Sequence, residues 1–173
     1  TLEQAVSIDI NSTASWETAF ITGVSRQGKD FYIYACEPTE GTTPILKLSS
    51  NPNSLIGRKI GGFHCLCADV GTIMNHPLNG YVIGDILPDS LWDISHRPVA
   101  SPEGMVYVDG LDLWVDIYLA GFEGTNVDNT LKLVSKYGVP VADGGSSPEA
   151  FHWYKFSQVF GLQKKRMLQQ SEF

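Results

Sequence analysis

The chain has 173 residues, of which 43% are hydrophobic and 18% are charged, and its formal net charge is −7. This acidic balance argues against a nucleic-acid partner, which would need a basic surface to displace counterions from phosphate. No apolar run approaches the ~20 residues that cross a bilayer, so we expect no membrane insertion. The length suits one ordinary domain or two small ones, and frequent glycine and proline favour short strands joined by tight turns.

The first third of the chain is dominated by strand patterns. Alternating strand patterns occur at 7–10, 20–24 and 31–36, and residues 45–48 are predicted to form a fourth short strand. A polar turn with Gly28 available for positive φ separates the second and third of these segments, and the Asn-Pro-Asn-Ser segment that follows the fourth is typical of a loop. We therefore predict an N-terminal antiparallel β unit over residues 1–58, which would tether or oligomerise the protein.

Residues 59–104 are predicted to form one strand and a long ordered connector. The strand, at 59–70, is mostly apolar and begins near the pair Gly61-Gly62. The connector that follows is punctuated by glycine and proline, and residues 89–93 within it could form a single helical turn. Ordered connectors of this length are uncommon and often functional.

A β-hairpin is the clearest signal in the last part of the chain. Residues 105–108 lead into Asp109-Gly110, a type I′ turn signal, and the return strand runs to residue 119. The residues predicted to face the core are Leu111, Leu113, Val115, Ile117 and Leu119. The opposite face holds Asp112, Trp114, Asp116 and Tyr118, and we predict that it is half exposed or forms an interface.

A helix is predicted after the hairpin. Ser146-Ser147-Pro148-Glu149 supplies a cap and an early proline, and Gly161 is the expected stop. The apolar face comprises Trp153, Phe156, Val159 and Phe160. Lys164-Lys165-Arg166 then precedes a second apparent helix start.

Residues 105–173 resemble the first half of the C-type-lectin-like fold shared by formylglycine-generating enzymes and phage receptor-binding proteins. The motifs that carry this resemblance are Met105-Val106-Tyr107-Val108, Trp114-Val115-Asp116-Ile117-Tyr118, Trp153-Tyr154-Lys155-Phe156 and Lys165-Arg166-Met167-Leu168-Gln169-Gln170-Ser171-Glu172-Phe173. The chain departs from the family at Leu168, where the family has proline, and at Gln169, where it has a capping threonine. The resemblance implies that Lys165 and Arg166 support the fold.

A second resemblance, to phage tail-fibre proteins of the major-tropism-determinant type, covers the middle of the chain. It is carried by residues 58–64, 80–88, 92–93, 96–98 and 101–105. The two resemblances together imply an α+β, β-rich fold class: an N-terminal antiparallel β unit followed by an incomplete C-type-lectin-like domain at 105–173.

Two groups of residues could in principle bind metal. His64-Cys65-x-Cys67 has a one-residue spacing and no second pair, whereas structural zinc commonly uses Cys-x₂-Cys knuckles in pairs. Asp85, Asp89 and Asp93 are interrupted by Pro88 and lack the glycine-centred spacing of a calcium loop. We therefore predict no metal ligands and no cofactor. Cys36, Cys65 and Cys67 are an odd set that we expect to be free thiols in a reducing compartment.

No catalytic residues are predicted, because no nucleophile elbow, phosphate loop or His-Glu-x-x-His motif occurs. The active-site cysteines of a formylglycine-generating enzyme would belong to the half of the fold that follows this chain, and none of the three cysteines lies after Val70. The protein is therefore predicted not to be an enzyme.

The resemblance implies a phage virion protein of the tail-fibre or receptor-binding type that mediates host attachment. Its expected partners are other virion proteins, further copies of itself in a trimer, and a bacterial surface receptor bound by segments beyond this chain, so the receptor-binding residues are unknown. Trimerisation would bury the aromatic faces of Trp114 and Tyr118 or of Tyr32 and Tyr34. We expect assembly in the bacterial cytoplasm and location in the virion. The alternatives are a capsid decoration or head-fibre protein and a bacterial lectin-like surface protein.

Overall fold

The computed structural model describes residues 5–41, 43–123, 132–142 and 153–172, and for residues 153–157 and 171 it describes the backbone alone. The chain divides into two units, Thr1–His96 (unit 1) and Arg97–Phe173 (unit 2), and each is described by itself. Among the described residues, no helix is both long and apolar enough to cross a membrane. Short antiparallel sheets dominate both units, which confirms the prediction of a β-rich protein with few helices.

Unit 1 is built on a four-stranded antiparallel sheet. Its strands are β1 (Asp30–Cys36), β2 (Ile45–Ser49), β3 (Arg58–His64) and β4 (Trp92–Asp93), in the order β2-β1-β3-β4. The predicted strands at 31–36 and 45–48 are confirmed. The 3₁₀ turn Thr13–Ser15 and the short helix α1 (Gly23–Arg26) precede β1, and a second 3₁₀ turn, Pro88–Ser90, lies between β3 and β4.

One face of this sheet carries the hydrophobic core of unit 1. Phe31, Leu48 and Phe63 come from three neighbouring strands and are buried together with Trp16 and Cys65. The Trp16 and Phe31 rings meet edge to face at 4.9 Å, an arrangement that adds to the hydrophobic gain. The partly buried residues packed against this cluster are Ile8, Ile10, Phe20, Ile33 and Ile86.

The segments at 7–10 and 20–24 are not strands, so these two predictions were wrong. Residues 7–10 are irregular, and the second segment leads into α1. Their alternating apolar residues, Ile8, Ile10 and Phe20, nevertheless point into the core. The period-2 pattern therefore reflects packing against the sheet rather than pairing within it.

The strand predicted at 59–70 is shorter in the structure, where β3 ends at His64. Because β3 pairs with β1, it belongs to the same sheet as the strands within residues 1–58. Beyond its end, the Cys65 amide donates to Lys29 O (3.0 Å) and the Leu66 amide to Asp85 O (2.8 Å). In place of one helical turn at 89–93, the chain forms the Pro88–Ser90 turn and then β4. The division of the chain into three parts remains a prediction.

In its described residues, unit 2 contains two small antiparallel strand pairs and a helix. β5 (Met105–Val108) pairs with β6 (Leu113–Asp116), β7 (Gly121–Glu123) pairs with β8 (Lys132–Val134), and α2 spans Trp153–Leu162. The β5–β6 hairpin is confirmed, but its turn is longer than predicted. The 3₁₀ turn Asp109–Leu111 precedes Asp112, which adopts the left-handed conformation, so Val108 pairs with Leu113.

The predicted core face of the return strand is only partly covered among the described residues. Leu113, Val115 and Ile117 are half buried, while Leu111 and Leu119 are exposed. The buried apolar side chains in this unit include Met105 on β5 and Leu133 on β8.

Helix α2 ends one residue after the predicted stop at Gly161. Lys164 takes the left-handed position with φ near +59°, its amide donates to Gly161 O (3.0 Å), and the Lys165 amide donates to Phe160 O (2.7 Å). These bonds form a Schellman motif, with lysine where glycine is usual. The predicted cap at 146–149 lies outside the described residues, as do the side chains of Trp153 and Phe156.

Candidate functional site

The residues considered for metal binding lie at the end of β3, where they serve the fold. His64 is buried and its Nδ1 is 3.0 Å from the Asp30 carboxylate. Cys65 is part of the core, and burial raises the pKa of its thiol to about 12. Among the described residues, no three His, Cys, Asp or Glu side chains lie close enough together to hold a metal ion.

The acidic series Asp85, Asp89 and Asp93 stabilises turns. Asp85 accepts a hydrogen bond from the Val82 amide at 2.9 Å, and Asp89 lies in the 3₁₀ turn before β4. Asp93 Oδ1 accepts bonds from the Ser95 amide (2.7 Å), the Ser95 hydroxyl (2.8 Å) and the His96 amide (2.7 Å). These bonds lower the pKa of the Asp93 carboxyl because they favour its charged form. The bond from the Ser95 hydroxyl has the largest effect.

Asp30, His64 and Ser90 have the composition of a catalytic triad but a different geometry. The Ser90 hydroxyl accepts a bond from the His64 amide (2.8 Å) and donates to main-chain oxygens of His64 (3.1 Å) and Leu87 (2.6 Å). A nucleophilic serine would instead be hydrogen-bonded to the imidazole. Ser90 therefore ties the connector to the end of β3.

The aromatic face of Tyr32 and Tyr34 is covered within the chain. Tyr32 is 6% exposed and packs against Trp92, with the ring centroids 6.5 Å apart. Tyr34 is 1% exposed; its hydroxyl donates to Asn51 O (2.8 Å) and accepts from the Ser54 amide (3.2 Å). The expectation that this face is available to another subunit was wrong.

The Trp114 and Tyr118 side chains are half buried in unit 2. The Trp114 ring lies 5.6 Å from Tyr107, whose hydroxyl donates to Asp112 at 2.8 Å. The Tyr118 ring lies 6.2 Å from Tyr137. A role for Trp114 and Tyr118 in trimerisation remains a prediction.

Lys165 and Arg166 make ion pairs inside unit 2. Lys165 Nζ is 2.6 Å from Asp116, and Arg166 binds both carboxylate oxygens of Glu172, at 2.8 and 2.5 Å. The Glu172 carboxylate also accepts a bond from the Gln169 amide (2.6 Å), as in half of a capping box. The hydrogen bond from Arg166 lowers the pKa of Glu172 to about 2. These contacts agree with the structural role that the sequence implied for both basic residues.

The structure also shows an exposed loop, residues 70–81, that the sequence analysis did not single out. Its two ends pair through the main chain: the Val70 amide donates to Tyr81 O and the Gly80 amide to Gly71 O, each at 3.0 Å. Two consecutive apolar side chains, Ile73 and Met74, are exposed in this loop, Met74 by 86%. An apolar pair inside a segment rich in glycine and asparagine was the available signal.

Hydrogen bonds within loop 70–81 fix its shape. The Ile73 amide donates to the Asn79 side chain (2.8 Å), and the amides of His76 and Asn79 donate to Ile73 O (3.2 Å) and His76 O (3.0 Å). Asn75 adopts the left-handed conformation at φ near +63°. The apolar side chains are thus presented by a hydrogen-bonded loop, and such loops on rigid scaffolds are frequent binding elements.

A close contact between two glycines has further exposed apolar residues near it in sequence. A Cβ on Gly23 would lie 2.2 Å from Ile83 O, and a Cβ on Gly84 would lie 2.3 Å from Gly23 O, so the two backbones touch. Three exposed apolar residues flank this contact in sequence, and we call them the Gly23 patch: Ile21, Val24 and Val82.

Comparison with known proteins identifies the class and then the family. Over 175 aligned residues the chain is 34% identical to a "Tail fiber receptor-binding protein" of Bordetella phage BPP-1, an alignment that covers 91% of this chain and 43% of that protein. The chain therefore spans less than half the length of this relative. Residues 3–93 match the family model described as the Mtd second domain, and the chain belongs to this family. No solved structure matches the chain. The resemblance to phage receptor-binding proteins is confirmed.

Proposed function

We propose that this chain is part of a phage tail-fibre protein that attaches the virion to its bacterial host. The observation that carries the proposal is the relative from phage BPP-1, which is similar along nearly the whole of this chain. Membership of the Mtd second-domain family supports it independently over residues 3–93, which correspond closely to unit 1.

In this proposal, unit 1 is a rigid β scaffold and unit 2 is the beginning of a C-type-lectin-like domain. The contacts of the lectin-like motifs support the second assignment. Lys165, from the last motif, binds Asp116 on β6, which belongs to an earlier motif 49 residues away. Such a contact holds the two motifs in one fold. The receptor-contacting residues would then lie in segments beyond this chain.

In this proposal the protein acts by binding rather than by catalysis. The Asp30–His64–Ser90 group supports this, since the hydrogen bonds of Ser90 to main-chain atoms suit a structural link. Its partners are other virion proteins, the host receptor and further copies of itself, and it acts as a component of the virion that assembles in the host cytoplasm.

Immunogold electron microscopy of the phage that encodes this chain tests the proposal. Antibodies raised against the 173-residue chain should label the tail, and Fab fragments prepared from them should reduce adsorption to host cells. Fab fragments against the major capsid protein serve as the matched control and should leave adsorption unchanged. Labelling confined to the head would contradict the proposal and favour a decoration protein.

A further inference from the structure

We propose that Asn79 is a modification site: when loop 70–81 opens, the Asn79 carboxamide reacts with the following backbone nitrogen and becomes aspartate or isoaspartate. Asn79 is the only asparagine of the chain that glycine follows. Glycine has no side chain to obstruct the approach of its nitrogen, and its backbone adopts conformations that other residues avoid. Asn79 and Gly80 are both exposed, so water reaches the pair. This chemistry goes beyond the attachment proposed above and does not depend on it.

The reaction needs only the chain and water. The Gly80 nitrogen loses its proton to hydroxide and attacks Asn79 Cγ, and a bond forms between these two atoms while the double bond from Cγ to Oδ1 gives its electron pair to Oδ1. When that pair returns, the bond from Cγ to Nδ2 breaks, and ammonia leaves with a proton from water. Water then opens the cyclic imide at either of its two carbonyls, which leaves aspartate or isoaspartate at position 79.

In the closed loop, both reacting groups are hydrogen-bonded to the opposite limb. The Gly80 amide donates to Gly71 O (3.0 Å), and Asn79 Oδ1 accepts from the Ile73 amide (2.8 Å). A hydrogen bond made by the neutral N–H of Gly80 opposes the loss of its proton. The bond from Ile73 alone would make Cγ more reactive, because it stabilises negative charge on Oδ1. It has no effect, however, without an ionised nitrogen within reach of Cγ.

The turn at residues 78–81 keeps the Gly80 nitrogen away from Asn79 Cγ. The Tyr81 amide donates to Leu78 O (3.0 Å), Gly80 has φ near +81°, and Asn79 has a negative φ. This combination defines a type II turn, in which ψ of the first central residue is about +120°. At that angle the Gly80 nitrogen and Asn79 Cβ lie on different sides of the Cα–C bond. The peptide group must therefore rotate, which breaks the turn, before the ring can close.

The modification makes the opening of the loop permanent. Isoaspartate adds one carbon to the backbone between Asn79 and Gly80, so the bonds of Gly80 to Gly71 O and of Tyr81 to Leu78 O no longer fit together. Both products also place a negative charge in a loop that contains no Asp, Glu, Lys or Arg. The closed conformation is therefore what preserves the uncharged loop.

The first test compares the folded 173-residue chain with the same chain in urea, at one pH and temperature. Mass spectrometry of peptic peptides, with chromatographic separation of aspartate from isoaspartate, follows the conversion of Asn79. Conversion should be at least about tenfold faster in urea, because the folded chain reacts only while the loop is open. Equal rates would overturn the protection by the loop, and an Asn79 that stays intact in urea would overturn the site itself.

A matched pair of variants tests whether closure of loop 70–81 is responsible. Gly71 and Gly41 have φ near +75° and +77°, and a Cβ at either would meet no atom within 4 Å, so valine brings the same backbone strain to each. In the folded chain, Gly71→Val should speed conversion of Asn79 at least about fivefold, because the strain favours the open loop. Gly41→Val should change the rate less than about twofold. Equal rates in the two variants would overturn the assignment to this loop.

Hydrogen exchange of the Gly80 amide measures the same opening in the wild-type chain, so the test stands even if Gly71→Val does not fold. Exchange and ring closure both require that this N–H leaves Gly71 O. Folding should therefore slow the conversion of Asn79 by at least the factor by which it slows exchange of the Gly80 amide. A Gly80 amide that exchanges as fast in the folded chain as in urea would overturn the proposal, as would conversion that folding slows less than exchange.

Discussion

Arg26 joins three irregular stretches of unit 1, around residues 10–11, 20 and 84. Its side chain is 4% exposed and donates to Gly84 O (2.9 Å), Phe20 O (2.9 Å), Ile10 O (3.3 Å) and the Asn11 side chain (3.3 Å). These acceptors come from segments that make no strands, so the guanidinium replaces the hydrogen bonds that a sheet would supply. Lysine cannot reproduce this planar fork of donors.

We predict that Arg26→Met lowers the free energy of unfolding by about 3 kcal/mol, because the buried Gly84 O and the partly buried Phe20 O lose the hydrogen bonds that Arg26 donates. Urea denaturation monitored by tryptophan fluorescence measures the change. Arg58→Met is the control, since Arg58 is an exposed arginine at the start of β3, and it should change the stability by less than about 0.5 kcal/mol. Equal effects of the two substitutions would show that the hydrogen bonds of Arg26 contribute nothing measurable to the free energy of unfolding.

Gly62 allows β1, β3 and Trp92 to approach closely. A Cβ at this position would lie 2.6 Å from Phe31 O and 2.7 Å from the Trp92 ring. We predict that Gly62→Ala destabilises the protein by about 2 kcal/mol through overpacking. Gly110→Ala, where no atom lies within 4 Å, should be close to neutral. Thermal unfolding of both variants checks this, and a neutral Gly62→Ala would contradict the packing.

At the scale of elements, Lys164 carries strain at the end of α2. Its left-handed conformation is unfavourable for a residue with a Cβ, and glycine relieves that strain while adding freedom to the unfolded chain. We predict a net stabilisation of about 0.5 kcal/mol for Lys164→Gly. Lys164→Ala removes the same charge but keeps the strain, so it should not stabilise. Chemical denaturation of the two variants side by side distinguishes conformation from charge.

The contact between Arg166 and Glu172 leads us to predict a specific pH dependence of the stability. The folded pKa of Glu172, about 2, lies below its ordinary value of 4.5, mainly because of the Arg166 hydrogen bond. The stabilisation that the Glu172 carboxylate gives to the fold is therefore complete at pH values above 4.5, and it is lost as the pH falls through the folded pKa of about 2. An NMR titration of the Glu172 carboxyl should show a midpoint near 2, and Arg166→Gln should move it towards 4.5. Arg97→Gln should leave it unchanged.

Strands were predicted correctly from the sequence where apolar side chains follow a strand pattern and the backbone of the same residues also pairs in a sheet. β1 was predicted correctly because its apolar run lies on a paired strand whose buried side chains include Phe31, Tyr32 and Tyr34. The same pattern at Ile8 and Ile10 failed, since periodicity reports which side chains are buried and carries no information on which backbone groups pair. The fold of residues 7–24 depends on Arg26 and on Gly84, 58 residues further on, and local pattern cannot supply that contact.

Less of the candidate site could be predicted than of the fold. The Ile73-Met74 pair was visible in the sequence, but its exposure follows from the hydrogen bonds that close loop 70–81. The Gly23 patch depends on a backbone contact between Gly23 and Gly84, residues far apart in the chain. Conversely, the sequence suggested an interface at Tyr32 and Tyr34, but in the structure Trp92 packs against Tyr32 and the segment after β2 covers Tyr34.

At the scale of the whole molecule, unit 1 has what an independent domain requires. The four-stranded sheet, its hydrophobic core and the Arg26 bonds all lie within Thr1–His96, and the family match at 3–93 covers nearly the same residues. At about this length a single core is sufficient for many small domains to fold alone.

We predict that residues 1–96 fold by themselves and unfold cooperatively. Their amide resonances in a ¹H–¹⁵N correlation spectrum should superimpose on the corresponding resonances of the 173-residue chain. A shorter fragment, 1–80, is the control: it lacks Ile86, which packs on the core, and Trp92, which covers Tyr32, and it should be unfolded. An unfolded 1–96 fragment would mean that the sheet depends on unit 2, and the family domain would then extend further along the chain than its match does.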